Sequence, residues 1–330
     1  MESVSTTPVS GTWTRKAPLP VAVNEVGVGQ VDGEIYVIGG GEQRDENPPT
    51  GASTLNMMYN TATDSWQERA PLPRALSHVG VTELGGKLYA IGGFTEDVHM
   101  HPQNLAIVYD PKIDRWSELP TFSIPRGSVA VAAFGAKIHI FGGRTSEKVV
   151  KRSLPGVPDF FIGSGTVTTH EIYDPAKAKW SQSNPLPGPP RDHMGIAVLD
   201  GKIHVFGGRI NDFSDLLARH DVYDPTTSTW TSASPLPRPR SAGAFTVLND
   251  LIIYAGGECK PGGQISTHNA FEDVSAYDPK TDTWATLTPL PQARHAFGAA
   301  TVAGTAFFAG GSLVCGGGVS TTDLLVFTLT

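Results

Sequence analysis

Six Gly-Gly doublets recur about every 50 residues along this 330-residue chain: Gly39-Gly40, Gly92-Gly93, Gly142-Gly143, Gly207-Gly208, Gly256-Gly257 and Gly310-Gly311. Self-similarity at such a period restricts the chain to a repeat architecture, in which each copy is one supersecondary unit that buries its apolar face only against its neighbours. Other landmarks keep step with the doublets. Trp13, Trp66, Trp116, Trp230 and Trp284 each lie 27 residues before the second glycine of the next doublet, and Trp180 lies 28 before. Tyr59, Tyr109, Tyr173, Tyr223 and Tyr277 each stand seven residues before a Trp. Length varies only between doublet and Tyr, where the gaps are 19, 16, 30, 15 and 20 residues, with 16 to Phe327 in the last copy.

Each copy holds four short apolar runs rich in β-branched residues, which read as strands a to d and not as helices. In the fourth copy strand a is GIAVL, strand b is KIHVF, strand c ends in DVY and strand d carries the Trp. Between a and b stand pairs such as Asp32-Gly33, Gly85-Gly86, Asp200-Gly201 and Asn249-Asp250, residue types that tolerate the positive φ of two-residue hairpins. One Trp and one Tyr per copy at fixed offsets suit packing between units, and His139 and His204 fall at core positions of strand b.

The Gly-Gly, Tyr-Asp and spaced-Trp pattern resembles the Kelch repeat over residues 11–330, with residues 1–10 as an N-terminal tail. That resemblance implies an all-β fold, a six-bladed β-propeller of four-stranded blades forming one domain. Trp13 has no Tyr-Asp-Pro before it, and the sixth copy ends after strand c in DLLVFT. Thr12 to Arg15 is therefore expected to be the outer strand completing the C-terminal blade, which closes the ring and removes an open edge.

Residues 1–10 carry neither an apolar segment nor a basic prefix, and no run approaches the roughly 18 apolar residues of a membrane span. The reading is a soluble, cytoplasmic protein without membrane contact. A net charge of −7 and no basic stripe exclude nucleic acid as the expected partner. The only two cysteines, Cys259 and Cys315, follow doublets in adjacent copies, and a disulfide and two free thiols both stay open.

Strands b and d run parallel in an up-and-down blade, so b-to-c loops and d-to-a crossovers emerge on one face. The crossovers place Asn24, Glu25, His78, Arg126, Asp192, His193, Arg240, Arg294 and His295 at the mouth of the central channel, and the doublets are followed by Phe94, Arg144, Arg209 and Glu258. The longest loop, Arg144 to Thr169, mixes Lys148, Lys151 and Arg152 with Phe160-Phe161-Ile162 and reads as a lid over the mouth.

Three constellations carry chemistry. Glu258 is the candidate general base, with His193 or His295 as its counterpart and Arg144 and Arg209 gripping an anionic ligand; a charge satisfied by Lys260 or a crossover Arg is the plain alternative. Asp97, His99 and His101 offer metal-ligand chemistry near His78, His193 and His295. The cysteines form the third. The chain is similar to Kelch-type sialic acid mutarotases in having Glu258 just after a doublet, with Gln264 where those enzymes have an Arg. Against the iron-binding Glu-x-x-x-Asp-x-x-x-His of plant specifier proteins it offers Glu258, Gly262 and Ser266.

The expected function is binding of a small polar ligand, a sugar or sugar acid, in the loop-walled pocket, with isomerase-type proton transfer as its chemistry. No cofactor is required on this reading, and a divalent metal is the variant that uses the loop histidines. A non-catalytic adaptor that takes a protein partner on the same face, through arginines such as Arg126, Arg191, Arg240 and Arg294, is the rival.

Overall fold

A computed structural model describes residues 10–42, 51–96, 99–154, 157–212, 214–262 and 267–330. Six four-stranded antiparallel sheets follow one another around a channel, and no helix occurs among the described residues, so none is long and apolar enough to cross a membrane. Blade one is Gly27–Val31, Glu34–Ile38, Asn56–Asn60 and Ser65–Glu68, in that order from channel to rim. Blades two to five repeat it, starting at Gly80, Ala130, Gly195 and Ala244. Blade six takes Gly298–Val302, Thr305–Ala309 and Leu324–Leu329 from the C-terminus and Gly11–Arg15 from the N-terminus, with Trp13 opposite Phe327. The closing strand is where the sequence places it.

The burial pattern explains the order of strands. Strand b is buried along nearly its whole length, as in Glu34–Ile38 and Lys202–Phe206, because blades cover both its faces. Strand d, as in Ser65–Glu68, keeps only its Trp partly buried. Five of the six a-to-b turns have both central residues at positive φ, as Asp32 (51°) and Gly33 (83°) do, the requirement of the hairpin turn whose twist matches the strands.

Each tryptophan works as a stitch between blades. Its indole N–H donates to a carbonyl of the preceding blade's outgoing chain: Trp66 to Ala17 (2.8 Å), Trp116 to Ala70 (2.8 Å), Trp180 to Pro120 (2.6 Å), Trp230 to Asn184 (3.2 Å), Trp284 to Ser234 (2.9 Å) and Trp13 to Thr288 (3.1 Å). In five blades its ring packs on the Tyr of its own blade, with centroids 5.0 Å apart for Tyr59 and Trp66, and Trp13 packs on Phe327 instead. The fixed Tyr-to-Trp spacing thus serves packing.

The doublets do a different job. Gly40, Gly93, Gly143, Gly208, Gly257 and Gly311 all have positive φ. A Cβ on Gly40 would lie 2.4 Å from the Asn24 carbonyl, and one on Gly208 would lie 2.8 Å from that of Asp192. The second glycine lets the crossover pass against the loop that leaves strand b, so the two chain segments share one face as expected.

Candidate functional site

The six crossovers meet at the channel in three successive positions per blade. The third position of each, Glu25, His78, Ser128, His193, Ala242 and Ala296, has φ between 50° and 58°. Main-chain bonds join these six into a closed ring: Glu25 N–H to Ala296 C=O (2.7 Å), His78 to Glu25 (2.9 Å), Ser128 to His78 (3.0 Å), His193 to Ser128 (3.3 Å), Ala242 to His193 (3.0 Å) and Ala296 to Ala242 (2.8 Å). Left-handed backbone at a non-glycine residue costs roughly 1–3 kcal/mol. The ring bonds and the blades fix it six times over, and the six side chains line the channel together.

The second position pairs with the residue after its own doublet, Asn24 with Gly41, Ser77 with Phe94, Gly127 with Arg144, Asp192 with Arg209 and His295 with Ser312. The first position points away from the mouth. Here the structure corrects the expectation for Arg126, Arg240 and Arg294, and for Arg191 in the adaptor reading. All four are almost wholly buried in the blades. Arg126 pairs with Glu171 (2.8 Å), Arg191 with Asp221 (2.5 Å) and Arg294 with Asp323 (2.7 Å). Arg240 bonds the Ser275 hydroxyl (2.9 Å) and lies over the Tyr254 ring. Carboxylates consume the charge of Arg126, Arg191 and Arg294, and burial within its blade keeps Arg240 from the mouth.

Ser128, Ala242 and Ala296 are mouth residues that the motif reading did not name. Their signal was present: in blades three to six the channel residue stands two after an Arg, as in Arg126-Gly127-Ser128 and Arg191-Asp192-His193. On that register His295 belongs to the second position. It is fully buried, and its Nε2 lies 2.8 Å from the Val314 carbonyl.

A buried polar cluster covers the side of the mouth formed by blades one to four. Asp192 accepts Arg144 on Oδ2, Arg209 Nε on Oδ1 (3.3 Å) and His193 Nδ1 on Oδ1 (2.8 Å). Burial pushes the Asp192 carboxyl up, but Arg144, His193 and Arg209 outweigh it and hold it well below the usual carboxylate range. Glu25 behaves likewise, with His78 Nε2 at 3.2 Å prevailing over burial. Burial and the Arg209 charge push His193 down to about 4 against the pull of Asp192, and burial with Arg144 lowers His99. These two rings are neutral at pH 7.

The expected catalytic group does not assemble as Glu258 facing histidine. Glu258 is ion-paired with Arg209, whose Nη2 stands 3.2 Å from His193 Nε2, so the guanidinium lies between the carboxylate and the imidazole. Arg144 and Arg209 are both satisfied from within and offer no open grip for a carboxylate. Phe94 is fully buried, its ring 5.4 Å from His78 and 5.3 Å from His99.

The expected metal set is also redrawn. Asp97 lies outside the described residues, as do Gln264 and Ser266 of the two family comparisons, and His101 is exposed beside Glu96. His99 turns inward instead. One ring nitrogen each of His78, His99 and His193 lies within 4.8 Å of the others. Arg144 Nη1 is 3.3 Å from His99 Nδ1 and Arg209 Nη2 is 3.2 Å from His193 Nε2, while His99 Nε2 is buried without a hydrogen-bond partner.

The long third loop is a β-hairpin, Arg144–Leu154 paired with Val157–Thr166. Ser146 bonds the His99 carbonyl on one side, and the Gly165 N–H donates to Asn211 Oδ1 (3.0 Å) on the other. It therefore walls the mouth between the second and fourth blades' loops, with Phe161 exposed. Cys259 and Cys315 form a disulfide, Cα–Cα 5.1 Å, between the loops of blades five and six.

A family profile for the KLHDC2/KLHL20/DRC7 Kelch-repeats domain matches residues 26–257 and again 81–311. The Kelch-like protein terF of Aspergillus terreus is 28% identical over 313 residues, covering 93% of this chain and 54% of that protein. Kelch-like protein 40 of Xenopus tropicalis is 25% identical over 288 residues, covering 87% of this chain and 35% of that protein. The chain thus spans about half, or less, of the length of these relatives. Among solved structures, that of YjhT superposes with a TM-score of 0.72 at 15% identity, over 95% of this chain and 99% of the other, a likeness of fold.

Proposed function

The chain belongs to the Kelch-repeat family, and from that footing we propose that it binds a small molecule at the loop-side mouth of the propeller channel. One observation carries the reading. Beneath the ring of six crossover residues lies a cavity of about 140 Å³ whose rim offers Glu25, His78, Ser128 and His193 to whatever enters. A concave, mainly apolar void with a few convergent polar groups is the usual form of a small-molecule site. The sugar-acid variant loses support because Arg144 and Arg209 are already paired.

The proton-transfer chemistry that suits this rim belongs to Glu25 and His78, an acid–base pair 3.2 Å apart that lines the cavity. Glu258 then acts on Arg209 as a positioning residue. Thermal-shift screening of a fragment panel on the native chain and on Val81→Phe, which enlarges a side chain that lines the cavity, tests the binding reading. Compounds that shift the native protein alone support it; no shift, or equal shifts in both, overturns it.

A second reading, a first-row divalent cation on His78, His99 and His193, is favoured by the convergence of their nitrogens. Equilibrium dialysis against zinc decides it: stoichiometric zinc that is lost in His99→Ala supports the site, and none retained removes it.

A further inference from the structure

Ser128 and His193 are neighbours in the ring of crossover residues, and their side chains meet as well as their main chains. The Ser128 hydroxyl lies 3.3 Å from His193 Nε2, and Nδ1 of the same imidazole stands 2.8 Å from Asp192 Oδ1. Asp192 is ionised and only accepts, so Nδ1 carries the proton and Nε2 is left as a base. A hydroxyl, an imidazole and a buried carboxylate linked in that order activate a serine for attack. Of the six ring positions only Ser128 carries a hydroxyl, and it lines the cavity together with His193.

Arg209 bears on the same nitrogen, with Nη2 3.2 Å from His193 Nε2. A guanidinium does not release its proton, so Ser128 is the one of the two donors whose proton Nε2 can take. Burial and the Arg209 charge keep His193 neutral, pushed down to about 4. A further donor stands close by. Arg144 can only donate to His99 Nδ1, at 3.3 Å, which puts the proton of that neutral ring on Nε2, and this buried N–H has no partner. The His99 ring stands edge to face with that of His193, centroids 5.3 Å apart.

We propose that Ser128, His193 and Asp192 form a nucleophilic triad, and that the ligand of the channel mouth is a carboxylic ester with a small acyl group. This rests on the channel-mouth binding reading above and adds a second chemistry to that rim. Ser128 Oγ adds to the carbonyl carbon while its proton passes to His193 Nε2, and the charge that gathers on the carbonyl oxygen has the His99 N–H and the Arg209 guanidinium as its donors. Collapse breaks the bond to the alkoxy oxygen, which leaves as the alcohol with the proton from His193. Water, giving a proton to the same nitrogen, then adds to the acyl group; collapse returns the proton to Ser128 and releases the acid. Asp192 touches no reacting atom and is a positioning residue that fixes the imidazole tautomer.

A fluorophosphonate probe tests the triad, because it phosphorylates a serine whose hydroxyl proton a base can take as fluoride leaves. The full chain is labelled with EDTA present, so that no cation occupies the His193 lone pair, and the adduct is located by peptide mass spectrometry. Expected is one adduct per chain on Ser128, absent in Ser128→Ala, with labelling about a hundred-fold slower in His193→Ala and partly restored there by added imidazole. Both variants copy Ala242 and Ala296, which hold the same ring position with the same left-handed backbone. A measurement on the native chain needs no variant: p-nitrophenyl acetate should give a burst of one p-nitrophenol per chain. No adduct on Ser128 and no burst, while fragments still distinguish the native chain from Val81→Phe, would overturn the triad and leave the binding site standing. Silence in the fragment screen as well would overturn both. An adduct on Ser128 that forms as fast in His193→Ala would remove the base, and the triad with it.

Discussion

Arg209 Nε stands 3.3 Å from Oδ1 of Asp192, and the other oxygen of that wholly buried carboxylate holds Arg144. One anion thus secures two guanidiniums at the mouth, while Glu258 serves only the second. Removing one partner of a buried ion pair costs about 3–5 kcal/mol because it strands the other charge. Asp192→Asn is expected to lose about that much stability in urea unfolding, and Glu258→Gln clearly less, since Arg209 keeps Asp192. Equal losses would contradict this hierarchy.

Acid should destabilise the protein well before its carboxylates titrate. His139 and His204 stand with Nδ1 3.0 Å and 2.9 Å from Nε2 of His170 and His220, deep between blades. Burial pushes His139, His204 and His220 down to about 4 and His170 to about 3. Their unfolded value is near 6.5, so the folded state favours the neutral form. That contribution is complete above about pH 6.5 and is lost as pH falls toward 4, on the order of 3 kcal/mol per ring. Melting followed between pH 7.5 and 4.5 should show a steep fall. The double variant His204→Ile/His220→Val, which copies Ile253 and Val274 of blade five, should flatten it; an unchanged slope would show that these rings are not the titrating groups.

The disulfide joins residues 56 apart in sequence. Chain-entropy reasoning gives about 4 kcal/mol for a loop of that size. Reduction, or Cys259→Ser/Cys315→Ser, should lower the melting temperature by several degrees, and calorimetry with and without reductant reads it. A melting point indifferent to reductant would mean that the bond does not form in the purified protein.

Removal of residues 1–16 takes the outer strand from blade six, exposes the edge of Leu324–Leu329 and leaves the Thr288 carbonyl without its indole. Trp13→Ala alone should cost about 3 kcal/mol, because its ring packs at 5.1 Å on Phe308 and 4.7 Å on Phe327. Cooperative unfolding at the native midpoint in the truncated chain would rule out this closure.

Much of the architecture could be read before any coordinates. Strand alternation, the Asp-Gly turns and the Tyr-to-Trp spacing are local patterns within one blade, and local periodicity survives in a single sequence. The two-part sixth blade was legible too, because Trp13 lacked a blade and the last copy lacked a strand. Face-level placement of Glu25, His78 and His193 followed from strand direction alone.

What the sequence could not decide was the facing of each mouth residue. Arg126 and Ser128 stand two apart, yet one is locked to Glu171 between strands while the other lines the channel. His99 and His101, also two apart, end buried against His78 and exposed beside Glu96. Those outcomes hang on left-handed backbone at the crossovers and on contacts such as His99 with Arg144, 45 residues apart, and Arg144 with Asp192, 48 apart. Repeat spacing determined the blades, because five of them are built wholly from neighbours in the chain and the sixth lacks only one strand of its own. Only closure of the ring decided the site, because its groups meet across blades and each charge is spent on whichever partner the curvature brings within reach.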